Sequence, residues 1–165
     1  MSDCMKNFLT SGKFLVNLSR LPGVDFYCQS ITTPDVSINS SSFNYISGHT
    51  YETDTQINYG TLSLTFIVDE YLDNYNQVLN WMKSISPDTS IEESKKLYDD
   101  SKQAGIGFDY TDIELIFNTS KGKVSYTYQN CTPNSLSGLE FNVSEDLYIT
   151  ANVVFNIPQI TISKS

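Results

Sequence analysis

Strict alternation of apolar and polar residues marks the middle and the end of this chain. In TLSLTFIVD (61–69), Leu62, Leu64, Phe66 and Val68 share one parity against Thr61, Ser63 and Thr65. That is the period-two signature of a strand with one buried face. TDIELIFNT (111–119), KVSYTYQNC (123–131) and LYITANVVFNI (147–157) read the same way. The last places Leu147, Ile149, Ala151, Val153, Phe155 and Ile157 on one face. TSKGK (119–123) supplies a hairpin turn between the first two of these three. Near the start, GKFLVNLSRL (12–21) and VDFYCQSI (24–31) read as two strands joined into a hairpin at Pro22-Gly23, a strong turn signal. In the second, Val24, Phe26, Cys28 and Ser30 point one way. TTPDVSI (32–38) breaks that strand at Pro34 and opens another segment.

The period changes once. In DEYLDNYNQVLNWMKSI (69–85), Leu72, Tyr75, Leu79 and Met82 recur at spacings of three and four, with Val78 and Ile85 widening the stripe. This predicts an amphipathic helix over about 71–85 that packs on the sheet through Leu72, Leu79, Trp81 and Met82. Trp81 is expected to be substantially buried. Asp69 and Glu70 suit the positive N-terminus of such a helix and Lys83 its C-terminus. SPDTS (86–90) stops it. IEESKKLYDDSKQAGIG (91–107) is polar, has room for a short second helix, and is closed by Gly105 and Gly107.

Residues 39–60 follow neither period. They are rich in Ser, Thr, Asn and Tyr. A structureless loop of that length is uncommon inside a compact domain, so an extended arm or long hairpin is expected. Its spaced aromatics Phe43, Tyr45, Tyr51 and Tyr59 have the composition of a contact surface, and His49 in the same arm is expected to be solvent-exposed or at an interface. The whole, residues 1–165, therefore reads as one mainly β domain: an antiparallel β-sandwich or barrel with one packing α-helix (about 71–85) and a long arm (39–60).

Composition narrows the function. The 165 residues carry 11 Tyr, 9 Phe and a net charge of −9. That balance argues against a basic nucleic-acid-binding patch. MSDCMKNFLTSGKF has no long apolar core, so no secretory leader is expected. No apolar run approaches the roughly 20 residues of a membrane-spanning helix. Cys4, Cys28 and Cys131 lack metal-ligand spacing and read as free thiols. His49 is the only histidine. It cannot build a multi-His metal site, and no nucleophile–His–carboxylate set can be assigned. The carboxylate pairs Asp69-Glu70, Glu92-Glu93 and Asp99-Asp100 are adjacent, which points their side chains apart on a strand or a helix. SGKF and SKGK lack phosphate-loop spacing. No catalytic residue, cofactor or metal site is expected.

FYCQSITTP (26–34) resembles the aromatic-x-Cys-x-(Ser/Ala)-x-x-x-Pro segment of contractile-phage tail-tube proteins. GTLSLTFIVDEYLDNYNQVLNWM (60–82) resembles their long central strand followed by a helix. NCTPNSLSGLEFNVSEDLYITANVVFNI (130–157) resembles their C-terminal block, with Pro133, Leu136, Leu139, Phe141, Glu145 and Asp146 at its marked positions. The pieces occur in family order over nearly the whole chain. Thr33 replaces a frequent Leu, and 87–108 has no counterpart in shorter members.

The resemblance implies a fold shared with type VI secretion tube and baseplate tube-initiator proteins. It also implies hexameric rings that stack into a hollow tail tube. The implied partners are further copies of the chain, the tail sheath, the baseplate initiator and the tape-measure protein, with no membrane. The genome passes without specific binding. The implied location is the virion tail, assembled in the host cytoplasm. The arm, through Phe43, Tyr45, His49 and Tyr51, becomes the expected contact between rings. A tail terminator or tube-initiator ring of the same fold is one alternative reading, and an unrelated binding β-sandwich is the other.

Overall fold

The computed structural model describes residues 14–164 except 19, 22–23, 25–26, 46–47, 87–89, 93–94, 97, 100–108, 120–121, 143 and 145–146; along 39–55 it describes the backbone alone. The predicted Pro22-Gly23 turn, Phe26, the glycines at 105 and 107, and Glu93, Asp100, Glu145 and Asp146 lie outside the described residues, as does Cys4.

Among the described residues, nine strands and a thirteen-residue helix follow the chain in the order β1 (Phe14–Leu18), β2 (Cys28–Thr32), β3 (Val36–Tyr45), β4 (Gly48–Tyr59), β5 (Thr61–Ile67), α1 (Asp73–Ile85), β6 (Thr111–Thr119), β7 (Gly122–Leu136), β8 (Thr150–Asn156) and β9 (Gln159–Lys164). All pairings are antiparallel. Strands β3 and β4 pair only with each other; the other seven form an open path, β1-β6-β7-β8-β5-β2, with β9 added alongside β7. The fold is sandwich-like and not a closed barrel, because β1 and β2 remain as ends. Between Ser86 and Tyr110, Ile91, Glu92, Lys95, Lys96, Tyr98 and Asp99 are helical and exposed, as too few apolar positions there would predict.

Strand β7 turns the corner of the sandwich. Its first half, Val124–Gln129, pairs with β9, and its second half, from Thr132, pairs with β8. At the change, Asn130 takes φ 55 and an extra residue interrupts the β6–β7 register between Thr111/Cys131 and Ile113/Tyr128. This is a β-bulge, which bends a strand and resets its side-chain parity. That is why Tyr128 and Cys131, three apart, are both buried. Asp112 Oδ1 accepts the Asn130 N–H at 2.9 Å and holds the bulge. On the neighbouring strand, the Ile157-Pro158 step separates β8 from β9 at the same corner, since Pro cannot donate to a ladder.

The core forms between the two halves. Leu62, Leu64 and Phe66 of β5 meet Ala151, Val153 and Phe155 of β8, with Ile113 and Leu115 of β6 and Val78 and Trp81 of α1. Tail residues of the predicted last strand divide: Ala151, Val153, Phe155 and Ile157 are buried, whereas Leu147 is exposed.

The predicted first hairpin does not form. β1 pairs with β6 and β2 pairs with β5, in opposite halves of the sandwich. Between them the chain makes tight turns, with Leu21 N–H donating to Leu18 O (3.1 Å) and Val24 N–H to Leu21 O (2.9 Å). Leu18, Leu21 and Val24 are all fully buried. Their three-residue spacing is a turn period, and burying all three carries the chain across the core instead of back along β1.

Candidate assembly interface

The arm is a hairpin and begins three residues earlier than the sequence pattern suggested. The ten residues of β3 rise about 34 Å at strand spacing. Its root is clamped where Gly60 N–H donates to Asp35 O at 2.7 Å. A Cβ at Gly60 would lie 3.2 Å from Asp35 N, so glycine permits this close approach. Above the root, Val36 faces Tyr59 and Ile38 faces Ile57. Directly opposed residues share a face, so four apolar side chains line one side of the hairpin base; Val36, Ile38 and Ile57 are exposed. Farther out, Ser42 pairs with Tyr51, Phe43 with Thr50, Asn44 with His49 and Tyr45 with Gly48. The register thus places all four residues near the tip, Phe43 and Tyr45 at one parity and His49 and Tyr51 at the other, while their side chains lie outside the described residues.

The outer face of β2, β5 and β8 carries Ser30, Thr32, Thr61, Ser63, Thr65, Asn152 and Asn156 in register, with the half-buried Val154 between the two asparagines. Asn152 Nδ2 donates to Ser63 Oγ (2.7 Å) and to Thr65 Oγ1 (3.1 Å), tying the face together. The named positions other than Val154 are hydroxyls and amides without a charge. At the margins, β1 and β2 each end the sheet path, and β9 pairs only with β7. Such edges offer unpaired backbone groups to another strand.

Helix α1 meets the core on a face shifted from the one its apolar spacing predicted: Trp81 and Met82 pack as expected, whereas Leu72 and Leu79 do not. The buried residues are Asn74, Val78, Trp81 and Ser84, with Tyr75 and Met82 packed at the flank. Leu79 is half-buried outside the core cluster, and Leu72 and Ile85 are exposed. Asn74 is the reason. Its Nδ2 donates to Ile67 O at 2.8 Å, and its Oδ1 accepts from Asp69 N at 3.2 Å, fastening the helix start to the end of β5. Leu72 takes a left-handed conformation (φ 61) just before the helix. Asp69 Oδ1 accepts the N–H groups of Tyr71 (2.6 Å) and Asp73 (3.3 Å), whereas Glu70 is exposed in the turn.

The perturbed groups are structural. Burial pushes the Tyr128 hydroxyl and the Cys131 thiol each up to about 12. Burial also lowers Arg20, partly opposed by Asp109, and the Arg20 guanidinium sits 4.8 Å over the Trp81 ring. Among the described residues no group of three His, Cys, Asp or Glu side chains could hold a metal ion, and no helix is long and apolar enough to cross a membrane.

The β-sandwich thus combines open sheet edges, an uncharged strand face and a hairpin paired only with itself. A family model described as phage tail tube protein matches residues 5–161, and the chain belongs to that family. Its members are structural tail proteins, not enzymes. No match was found among curated proteins. Three solved structures show the same fold at low identity. A sheath/tube terminator of the extracellular contractile injection system PVC aligns with TM-score 0.68 and 13% identity, covering 96% of this chain and 99% of that one. The tube-terminating cap of the anti-feeding prophage aligns with TM-score 0.66 and 14% identity over 100% of both chains. A chain of the PVC sheath–tube complex aligns with TM-score 0.66 and 12% identity, covering 98% and 95%.

Proposed function

We propose that this chain forms hexameric rings that stack into the hollow tail tube of a contractile-tailed phage, through which the genome passes. The observation that carries this reading is the uncharged Ser/Thr/Asn face spanning β2, β5 and β8. A channel wall must let a polyanion slide. Hydroxyls and amides stay hydrated without binding phosphate as lysines would. The net charge of −9 adds a repulsion that salt screens beyond about 8 Å.

The free edges of β1, β2 and β9 supply ring contacts, since one subunit's sheet can continue into the next. The hairpin β3–β4 reaches the adjoining ring. Such heterologous contacts close by rotation within a ring and stay open along the stack. Sheath, baseplate initiator and tape-measure protein are the expected partners, with assembly in the host cytoplasm. A terminator ring of the same fold is the second reading, because a terminator and a tube-complex chain align with TM-scores of 0.68 and 0.66. Negative-stain electron microscopy of the purified protein tests both. Stacked six-fold tubes support the tube reading, single rings support the terminator, and a monomer at all concentrations refutes both.

A further inference from the structure

Strand β3 carries an apolar alternation past the edge of its own domain. Pro34, Val36 and Ile38 occupy every second position, the pattern of a strand with one covered face. Pro34 is buried at the root, whereas Val36 is 58% and Ile38 55% exposed. The partner strand matches it. Tyr59 faces Val36, and Ile57, 47% exposed, faces Ile38. Ser37 and Asn58 form the rung between these two and so point to the other side of the hairpin. One side of the base is therefore apolar and the other polar. β3 and β4 pair only with each other, and a two-stranded hairpin with no cover on its apolar side is marginal in water.

Two observations say what the cover is. The first is continuity. Thr32 of β2 pairs with Ser63 of β5, and Val36 pairs with Tyr59, so each strand advances four residues between the two rungs. β2 runs into β3, and β4 into β5, as one ribbon without a slipped register. β2 ends the sheet path, and its free edge leads straight to the apolar base. A neighbour that extends the sheet at β2 lies beside Val36 and Ile38. The second is area. The exposed parts of Val36, Ile38 and Ile57 fall well short of the roughly 800 Å² that each partner gives to a stable interface. The patch is too small to hold an independent partner and suits the margin of a larger contact. A contact repeated between copies also counts twice for each chain, which gives one hairpin base and receives another.

We propose that the apolar side of the hairpin base, Val36, Ile38, Ile57 and Tyr59, docks on a second copy of this chain, the neighbour beside β2 in the same ring. The inference rests on the tube reading and divides the hairpin between two tasks. Its base seals neighbours within a ring, and its tip reaches the next ring. Docking covers the alternation that begins at Pro34 and leaves Ser37 and Asn58 in water.

Two matched variants test this. One places a charge pair on the apolar side, Ile38→Glu with Ile57→Lys. The other places the same pair on the polar side, Ser37→Glu with Asn58→Lys. Each pair faces directly across the hairpin, leaves the net charge unchanged and is a favourable cross-strand combination. Circular dichroism and thermal unfolding verify the fold of both. Assembly is followed by sedimentation and negative-stain electron microscopy. The apolar-side variant is expected to need at least about tenfold more protein than wild type to form rings. The polar-side variant is expected to form rings at the wild-type threshold. Equal weakening by both variants overturns the contact, as does an apolar-side variant that keeps its single rings and loses only stacking. Should the apolar-side variant fail to fold, Ile38→Thr with Ile57→Thr, which keeps strand propensity, replaces it under the same criteria. Wild-type protein that stays monomeric at all concentrations overturns the tube reading and this contact with it. Wild-type rings alongside equally stable rings of the apolar-side variant overturn the contact alone.

Discussion

The Trp81 ring lies 6.1 Å from the ring of Phe155, tilted by 38°, and joins α1 to the C-terminal end of β8. Both side chains are buried, so the contact is a fixed seam between helix and sheet. Trp81→Ala should cost about 3–5 kcal/mol, the range for emptying a large aromatic site. Leu79→Ala should cost only about 1 kcal/mol, as Leu79 lies outside the core cluster. Urea unfolding of both variants checks the contrast. Equal losses would mean that the helix is rotated toward the Leu72–Leu79 stripe.

Alkaline pH should destabilise the fold through Tyr128 and Cys131. Both are raised to about 12 by burial, from ordinary values of 10.0 and 9.0. The folded chain keeps protons that the unfolded chain releases, so unfolding is favoured as pH rises. The contribution is complete below about pH 9 and is lost progressively between 9 and 12. Cys131→Ala should therefore show a shallower fall in Tm from pH 8 to 11 than wild type. Identical slopes would show that the thiol is not held protonated.

Much of this arrangement was legible in the sequence where one period ran unbroken. The alternation of β5, β6 and β8 follows from Leu62-x-Leu64-x-Phe66, Ile113-x-Leu115 and Ala151-x-Val153-x-Phe155, because each strand has one buried face. Reading failed where a polar residue took a buried place. Asn74 satisfies the Ile67 carbonyl and displaces Leu72 from the helix face, which apolar spacing does not reveal. It failed again at the corner. The last strand was drawn only to Ile157, so strand β9 was missed, although Ile160-x-Ile162 continues the alternation beyond Pro158. The pairing of β1 with β6 and of β2 with β5 depends on contacts distant in the chain, and the nearby Pro-Gly suggested a local hairpin instead. For the assembly surfaces, the hairpin was visible as a long polar stretch. The exposure of Leu147 and Phe141 was not, because Leu147 continues the apolar parity of the last strand and Phe141 entered only through the family resemblance.

The uncharged strand face predicts how the channel treats DNA. Ser30 and Thr32 are exposed on it. Lysine at both positions should leave folding and assembly unchanged, since neither side chain is packed. Assembled tubes of that variant should retain duplex DNA at low salt and release it as salt rises, with the steep dependence of phosphate contacts. Wild-type tubes should retain none. Equal, negligible retention by both would place this face away from the lumen, and tight salt-sensitive retention by wild type would defeat the idea of a sliding wall.

The hairpin tip supplies the last prediction. Removing residues 43–52 joins Ser42 to Thr53. Ser40 already pairs with Thr53, so Ser41 and Ser42 would become a two-residue turn, a favoured hairpin connection. The base pairs Val36–Tyr59, Ser37–Asn58 and Ile38–Ile57 are untouched, and the Asp35–Gly60 clamp remains. The shortened chain should therefore fold with a Tm close to wild type and form single rings. It should not elongate, because the reach toward the next ring, about 34 Å in the full strand, is cut by roughly half. Electron microscopy and circular dichroism on the same preparation separate the outcomes. Normal-length tubes would show that the tip makes no necessary contact, and loss of folding would show that the hairpin belongs to the domain core.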